Sequence, residues 1–259
     1  MQTLLAKLSG GELLGFILVL SRVGPLFLIA PVFSAQALPA RVKTVVAAGI
    51  SIGLTPVALH GQHLPGGALA IGELIVESLL CGLGFAFTLA VLFAAVESAG
   101  AFVDFTTGLS FGKTVNPALG NEGGAMSLLY GIIGLLVFIV IGGIEWMVRG
   151  IARTFTLVPL TRAPRLGSLV GGAESVFATV FTAALEICAP VIIAMAITDV
   201  AFGVLARVVP QMNVFAVGFP LKILIGVLLV GATLPFLGSW ISEALTQSVA
   251  SALATLHVA

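Results

Sequence analysis

The longest apolar run of the chain covers residues 68–105 and reads ALAIGELIVESLLCGLGFAFTLAVLFAAVESAGAFVDF. The charged residues that interrupt it are all acidic: Glu73, Glu77, Glu97 and Asp104. A membrane-spanning helix needs about 20 consecutive, mostly apolar residues. This run therefore predicts a long helix of the membrane type.

Composition extends this prediction to the whole chain. Of the 259 residues, 59% are hydrophobic and 8% are charged, whereas about 25% are charged in an average soluble domain. The 11 basic residues balance 11 acidic ones, so no basic surface is available to attract nucleic acid. Cys81 and Cys188 lie inside apolar runs, which favours small buried side chains over a metal site or a disulfide.

Six charge-poor segments are predicted to form helices. They cover residues 13–33, 44–59, 68–105, 125–148, 175–206 and 214–242, followed by an amphipathic tail helix at 243–259, and residues 149–172 form a polar connector. Pro190, Pro220 and Pro235 lie within the last two segments and predict kinks. The predicted fold class is all-α, with membrane-type helical hairpins and kinked or broken helices.

The basic residues do not fit a simple membrane bundle. Lys and Arg normally mark the cytoplasmic loops, yet Arg41 and Lys43 are separated by three segments from the four arginines of residues 149–165. An odd number of crossings puts the two clusters on opposite sides of a membrane. Irregular backbone at membrane depth is tolerated only where it is buried in protein or lines an aqueous cavity. The charge pattern therefore points to a part of a channel or an assembly.

Acidic side chains inside apolar runs are candidates for function, because burying them is costly. Glu73 and Glu77 share one helix face at a spacing of four, as Glu97 and Asp104 do at a spacing of seven. A proton or cation relay and structural pairing between helices are both open for these acids.

Two further acids flank Pro190. Asp199 precedes Arg207 by eight residues, about two helical turns, which predicts a structural ion pair between them. The candidate buried ion pairs therefore involve Glu73, Glu77, Glu186 and Asp199.

The sequence contains no catalytic constellation. His60 and His63 lie in a turn and His257 lies in the tail, without a nucleophile or a cluster of metal ligands nearby. We therefore expect no enzymatic activity, no cofactor and no metal ion.

An irregular stretch at residues 106–117, TTGLSFGKTVNP, separates two of the apolar segments. Gly108 and Gly112 permit unusual dihedral angles, and an Asn-Pro pair favours a turn. The apolar side chains of this stretch are able to fill a pore and interrupt its water column, or else to lie on a neighbouring helix as part of a surface loop. The candidate pore-plug residues are Gly108, Leu109, Ser110, Phe111, Val115, Asn116 and Pro117.

Two motifs resemble the FliR family of bacterial flagellar export-gate proteins. GLSF at residues 108–111, with Asn116-Pro117, resembles the central loop of that family. RVVPQMNVFAVGFPLK at residues 207–222 resembles its R-x-x-P-Q-x-N-x-F and G-F-P-L signature. Supporting blocks at residues 22–31, 38–41, 82–100 and 155–159 follow the family's order. One departure is Gly143-Ile144, where members of the family often have a Gly-His pair.

The resemblance implies a subunit of a helical, pore-forming assembly. Residues 1–172 would be a FliP-like part with a central plug loop at about 106–124, and residues 173–259 a FliQ-like helical hairpin with a C-terminal tail. In the late motif, the proline would break the helix while the glutamine and asparagine would satisfy the freed backbone groups. The implied hairpin and assembly residues are Arg207, Pro210, Gln211, Asn213, Phe215, Gly218, Phe219 and Pro220.

The function implied by the resemblance is that of a core subunit of the flagellar type III protein export gate, in the bacterial inner membrane at the flagellar basal body. Its implied partners are FliP-like and FliQ-like subunits, an FlhB-like gate protein, rod or basal-body proteins, membrane lipid and unfolded export substrates. Three alternatives are open: an injectisome gate subunit, a structural scaffold without a pore role, and a small-solute or ion transporter that uses Glu73, Glu77 and Asp199.

Overall fold

The computed structural model describes residues 10–30, 33, 39–62, 64–65, 67–110, 124–163, 165–211 and 213–257. These described residues form seven helices and no strand, which confirms the all-α prediction. In chain order the helices are α1 (Gly10–Ile29), α2 (Ala40–Leu59), α3 (Ala68–Thr107), α4 (Ala125–Val140), α5 (Gly143–Leu157), α6 (Leu166–Val208) and α7 (Val214–His257).

Three helices are much longer than a bilayer is thick. Helices α3, α6 and α7 have 40, 43 and 44 residues, which is about 60 Å or more at 1.5 Å per residue, against about 30 Å for the hydrocarbon core. Among the described residues, five helices are long and apolar enough to cross a membrane, and a sixth span results if α4 and α5 are counted as one interrupted span. The prediction of an integral membrane protein is confirmed at this level.

The segment predicted over residues 125–148 is interrupted. Helix α4 ends at Val140 and α5 begins at Gly143. Between them Gly142 has a φ of 76°, a left-handed conformation that glycine adopts without a steric penalty. Arg149 therefore lies inside α5, where it forms an ion pair with Glu145 at 2.6 Å, and the polar connector is shorter than predicted.

The boundary predicted between the sixth segment and the tail is also wrong, because α7 continues from Val214 to His257. Pro220 and Pro235 lie inside this helix, and α6 likewise continues through Pro190. A proline removes one backbone hydrogen bond from a helix. In apolar membrane-type helices the freed carbonyl can be satisfied by neighbouring groups, so these prolines do not end the helices.

The chain divides into two compact units. The first comprises Met1–Val91, Gly142–Phe177 and Leu245–Ala259, and the second comprises Leu92–Ile141 and Ala178–Ala244. Both units thus combine distant parts of the chain. The predicted division at residues 172 and 173 concerns likeness to two other subunit families, which compactness does not test, and it stays a prediction.

The first unit contains a buried arginine that connects two of its helices. Arg22 of α1 has only 1% of its surface exposed. Its Nη1 donates to the carbonyl oxygens of Thr154 at 3.2 Å and Val158 at 2.8 Å, and its guanidinium carbon lies 4.6 Å from the centre of the Phe155 ring. The Val158 carbonyl follows the last residue of α5 and has no intrahelical donor, so this cation stabilises the C-terminal end of α5. The requirement for such a donor explains a charge inside an otherwise apolar helix.

The second unit has one apolar core. It is formed by side chains of α3 and α4 together with α6 and α7. Its buried members are Val96, Ala99, Val103, Met126, Tyr130, Ala184, Ile187, Cys188, Val191, Met195, Val230, Leu237 and Ile241.

Candidate functional site

The central segment, residues 106–124, begins where α3 ends. Helix α3 ends at Thr107, and Gly108 follows it with a φ of 85°. The amide of Ser110 then donates to the carbonyl oxygen of Asp104 at 3.3 Å. The predicted departure from helix at this glycine is therefore present in the structure.

Leu109 is half-buried against the core of the second unit. This contact resembles the surface-loop alternative, in which an apolar side chain of the segment lies on the protein's own helices. The other predicted plug residues outside the turn are not among the described residues: Phe111, Val115, Asn116 and Pro117.

Asp104 joins the end of α3 to the start of α4. Its side chain is buried, with 3% of the residue exposed. Its Oδ1 accepts a hydrogen bond from the amide of Met126 at 3.0 Å, and its Oδ2 accepts one from the amide of Ser127 at 3.0 Å. We call this arrangement the Asp104 clasp. Glu97, which lies seven residues before Asp104 in the same helix, is exposed.

The late motif forms the turn between α6 and α7. Helix α6 ends at Val208, and α7 begins at Val214. Asn213 stands directly before α7, and its Oδ1 accepts a hydrogen bond from the amide of Ala216 at 3.1 Å. This is the geometry of a helix N-cap. The remaining turn residues of the motif are exposed: Arg207, Pro210 and Gln211.

The G-F-P part of the late motif lies in the first turns of α7. Gly218 is buried, and a Cβ atom built on it would lie 3.5 Å from the ring of Phe202 on α6, an ordinary contact distance. Phe219 is half-buried and Pro220 is exposed. For Phe215 the structure describes the backbone, which is helical, and not the side chain.

Two polar contacts connect α6 with α7. Asp199 forms an ion pair with Lys222, and the Trp240 indole nitrogen donates to Glu186 Oε2 at 3.3 Å. The ion pair that the sequence suggested between Asp199 and Arg207 is thus replaced by one across the hairpin. Its members are partly exposed, so it is not a buried pair.

The acids of the first unit lie on the early turns of α3. Glu73 is exposed and Glu77 is half-buried. Within the described part of the chain, no group of three or more His, Cys, Asp or Glu side chains is arranged to hold a metal ion. Cys81 and Cys188 are buried free thiols.

Sequence reasoning did not assign the partners of two buried charged residues. Arg22 and Asp104 are both buried charges that satisfy the ends of helices distant in sequence. Each was visible as a charge inside an apolar run. Nothing in the local sequence specified which helix end each would reach.

Comparison with known proteins gives a consistent result. The family model of Bacterial export proteins, family 1, matches residues 13–248. The flagellar biosynthetic protein FliR of Escherichia coli K12 is 29% identical over 218 residues, which cover 84% of this chain and 83% of that protein. FliR of Bacillus subtilis is 29% identical over 215 residues, covering 80% and 81%. The surface presentation of antigens protein SpaR of Shigella sonnei is 22% identical over 220 residues, covering 82% of each. The resemblance found in the sequence motifs is confirmed.

Proposed function

Because this chain belongs to Bacterial export proteins, family 1, we propose that it is a membrane subunit of a type III protein export gate and that this gate is flagellar. The family match over residues 13–248 is the observation that carries the proposal. The flagellar assignment is supported by the higher identity to FliR proteins, 24% to 29% against 22% for SpaR. An injectisome gate is the second candidate, because the SpaR match covers as much of the chain.

The uncovered surface of the last two helices supports a role in an assembly. Within the most apolar stretch of each helix, the buried share is 17% in α7 and 33% in α6, compared with 61% in α3. Lipid tails can cover apolar side chains, but they accommodate the exposed Asp199–Lys222 pair and Arg207 poorly. FliP-like and FliQ-like subunits would cover this surface in the inner membrane. An FlhB-like gate protein and rod proteins would be further partners at the basal body, with unfolded export proteins as substrates.

Co-purification tests the assembly. The chain, expressed from its own promoter and extracted from native membranes, should be recovered with FliP-like and FliQ-like subunits. Pro210→Leu and Gln211→Leu change exposed residues of the turn and should lower that recovery and secretion at least severalfold. Val209→Leu, an apolar exchange in the same turn, is the matched control and should leave both unchanged. Recovery of the chain alone, or normal motility in both motif variants, would contradict the proposal.

The central segment is the proposed plug of the export channel. The apolar side chains at 109, 111 and 115 suit such a role, because apolar groups exclude a continuous column of water. Leu109 already contacts the core of the second unit, which favours an anchoring role for it. Phe111 and Val115 are then the proposed occluding residues.

Ion conductance tests the plug. The assembled complex would be reconstituted in a planar lipid bilayer, with the chain either intact or lacking residues 108–116. The deletion should raise the resting conductance, and Phe111→Ser with Val115→Ser should raise it in part. Lys113→Ala with Thr114→Ala changes polar residues of the same segment and should leave it closed. Unchanged conductance of the intact assembly after deletion would instead favour a scaffold role.

A further inference from the structure

We propose that Asp104 is a positioning residue for the central segment. Its carboxylate fixes the start of α4 against the end of α3, so that the two ends of the segment stay together while it occludes the channel. The inference rests on the proposed plug function. It assigns to one buried acid the task of holding the two ends of the segment together.

The chemistry of the clasp is that of an anion at a helix N-terminus. The first amides of a helix have no intrahelical acceptors, and they carry the positive end of the helix dipole. A buried carboxylate is costly unless its oxygens are satisfied. Both oxygens of Asp104 accept an amide of the first turn of α4, from Met126 and Ser127. The acid and the helix end therefore stabilise each other.

The clasp differs from an ordinary cap in the number of residues that separate the capping side chain from the helix it caps. An N-cap side chain normally belongs to the residue directly before the helix. That position before α4 is Gly124, which has no side chain to offer. Asp104 precedes Met126 by 22 residues. The hydrogen bonds therefore form only when α3 and α4 are in contact.

Glycines on both sides of the clasp allow the two helices to approach closely. A Cβ atom built on Gly100 would lie 2.6 Å from the Cα of Ser127, and one built on Gly124 would overlap the Asp104 carboxylate. In addition, Ser127 Oγ donates to the carbonyl oxygen of Glu97 at 3.1 Å. The two helices thus meet at backbone contact, and the contacts cover about two turns of α3, from Glu97 to Asp104.

Amide hydrogen exchange and conductance test the inference together. In Asp104→Ala the amides of Met126 and Ser127 should exchange about tenfold faster, because a lost cap exposes them. The assembled complex should still be recovered from the membrane. Its resting conductance should lie between that of the wild type and that of the 108–116 deletion. Asp104→Asn keeps one acceptor oxygen and should give intermediate values in both measurements.

Glu97 supplies the matched control, since it is an exposed carboxylate on the same helix. Glu97→Ala and Glu97→Gln should change neither exchange at Met126 and Ser127 nor conductance. Wild-type protection in Asp104→Ala would overturn the inference. The inference would also be overturned if Asp104→Ala exchanged fast but did not raise the conductance, while the 108–116 deletion did raise it. In that case the proposed plug function would stand. If the 108–116 deletion does not raise the conductance, the proposed plug function is wrong. The exchange experiment then decides alone whether Asp104 holds the start of α4 against the end of α3.

Discussion

The second unit contains two interhelical connections that satisfy a helix N-terminus in opposite ways. At the turn before α7, Asn213 is exposed and caps the helix from the adjacent position, with Ala216 as donor. At the base of the central segment, Asp104 is buried and caps α4 from 22 residues away. The first cap fixes where a helix begins. The second also fixes which helix it lies against.

This difference predicts where each connection is sensitive. A neutral exposed cap contributes about 1 kcal/mol, and hydrogen bonds to a buried charged group contribute about 1.5–3 kcal/mol. The α6–α7 turn leaves Pro210 and Gln211 on the surface, where the proposed partner subunits would contact them. Changes in that turn should therefore lower assembly more than the stability of the chain, and changes at the base of the segment should do the reverse.

Among the variants outside the Asp104 clasp, the largest effect on stability is expected from Gly100→Ala. The added Cβ would lie 2.6 Å from the Ser127 Cα and 2.7 Å from the Met126 carbonyl oxygen. These are backbone atoms that cannot rotate away, so the free energy of unfolding should fall by about 2 kcal/mol. Gly231→Ala on α7 is the control, because a Cβ there meets nothing within 4 Å. It should stabilise the helix by about 0.5–1 kcal/mol. Thermal unfolding in detergent measures both, and equal midpoints would contradict the close approach of α3 and α4.

A smaller effect is expected at the ion pair across the hairpin. Lys222→Glu places a second negative charge beside Asp199 and should lower stability by about 1.5 kcal/mol. The double variant with Asp199→Lys restores opposite charges and should recover most of this loss. Failure of the exchanged pair to recover stability would mean that the two residues do not interact. The same unfolding measurement is used.

At Asn213 the expected loss is about 1 kcal/mol. Asn213→Ala removes the acceptor of the Ala216 amide, whereas Asn213→Ser retains an acceptor at the cap position. Exchange at Ala216 should accelerate in the alanine variant alone, and exchange at Met126 should stay at the wild-type rate in both. Faster exchange at Met126 would show that the two connections are coupled and would remove the distinction between them.

The apolar runs predicted where the helices lie and about half of their ends, because burial from water depends on composition that is visible locally; α6, expected from residue 175, begins at Leu166. The break at Gly142 was missed, since glycine is common in membrane helices and its φ is a property of the folded backbone. The pairing of Asp199 with Arg207 was wrong for a geometric reason. Eight residues along a helix span about 12 Å, which is beyond the reach of an ion pair. Lys222 lies nearly as far after the Pro210 turn as Asp199 lies before it, so an antiparallel hairpin brings them together.

The contacts of Asp104 at the base of the central segment were less predictable than the cap at Asn213, because they depend on tertiary packing. Asn213 directly precedes its helix, and the sequence therefore contains its capping signal. Asp104 finds its partners only after α3 and α4 have packed. Residues whose contacts are local could be assigned from sequence, and residues whose contacts are tertiary could be recognised only as charges in an unfavourable setting.

The smallest effect is expected from Ser127→Ala, and it separates the two kinds of contact at the base of the segment. The variant removes the hydrogen bond from Ser127 Oγ to the Glu97 carbonyl, which lies at an exposed position. It retains the backbone amide that donates to Asp104. Because an exposed neutral hydrogen bond contributes little, stability should fall by about 0.5 kcal/mol, with exchange at Ser127 within about twofold of the wild type. A loss as large as that of Asp104→Ala would mean that the serine hydroxyl contributes as much as the carboxylate to holding α4 against α3.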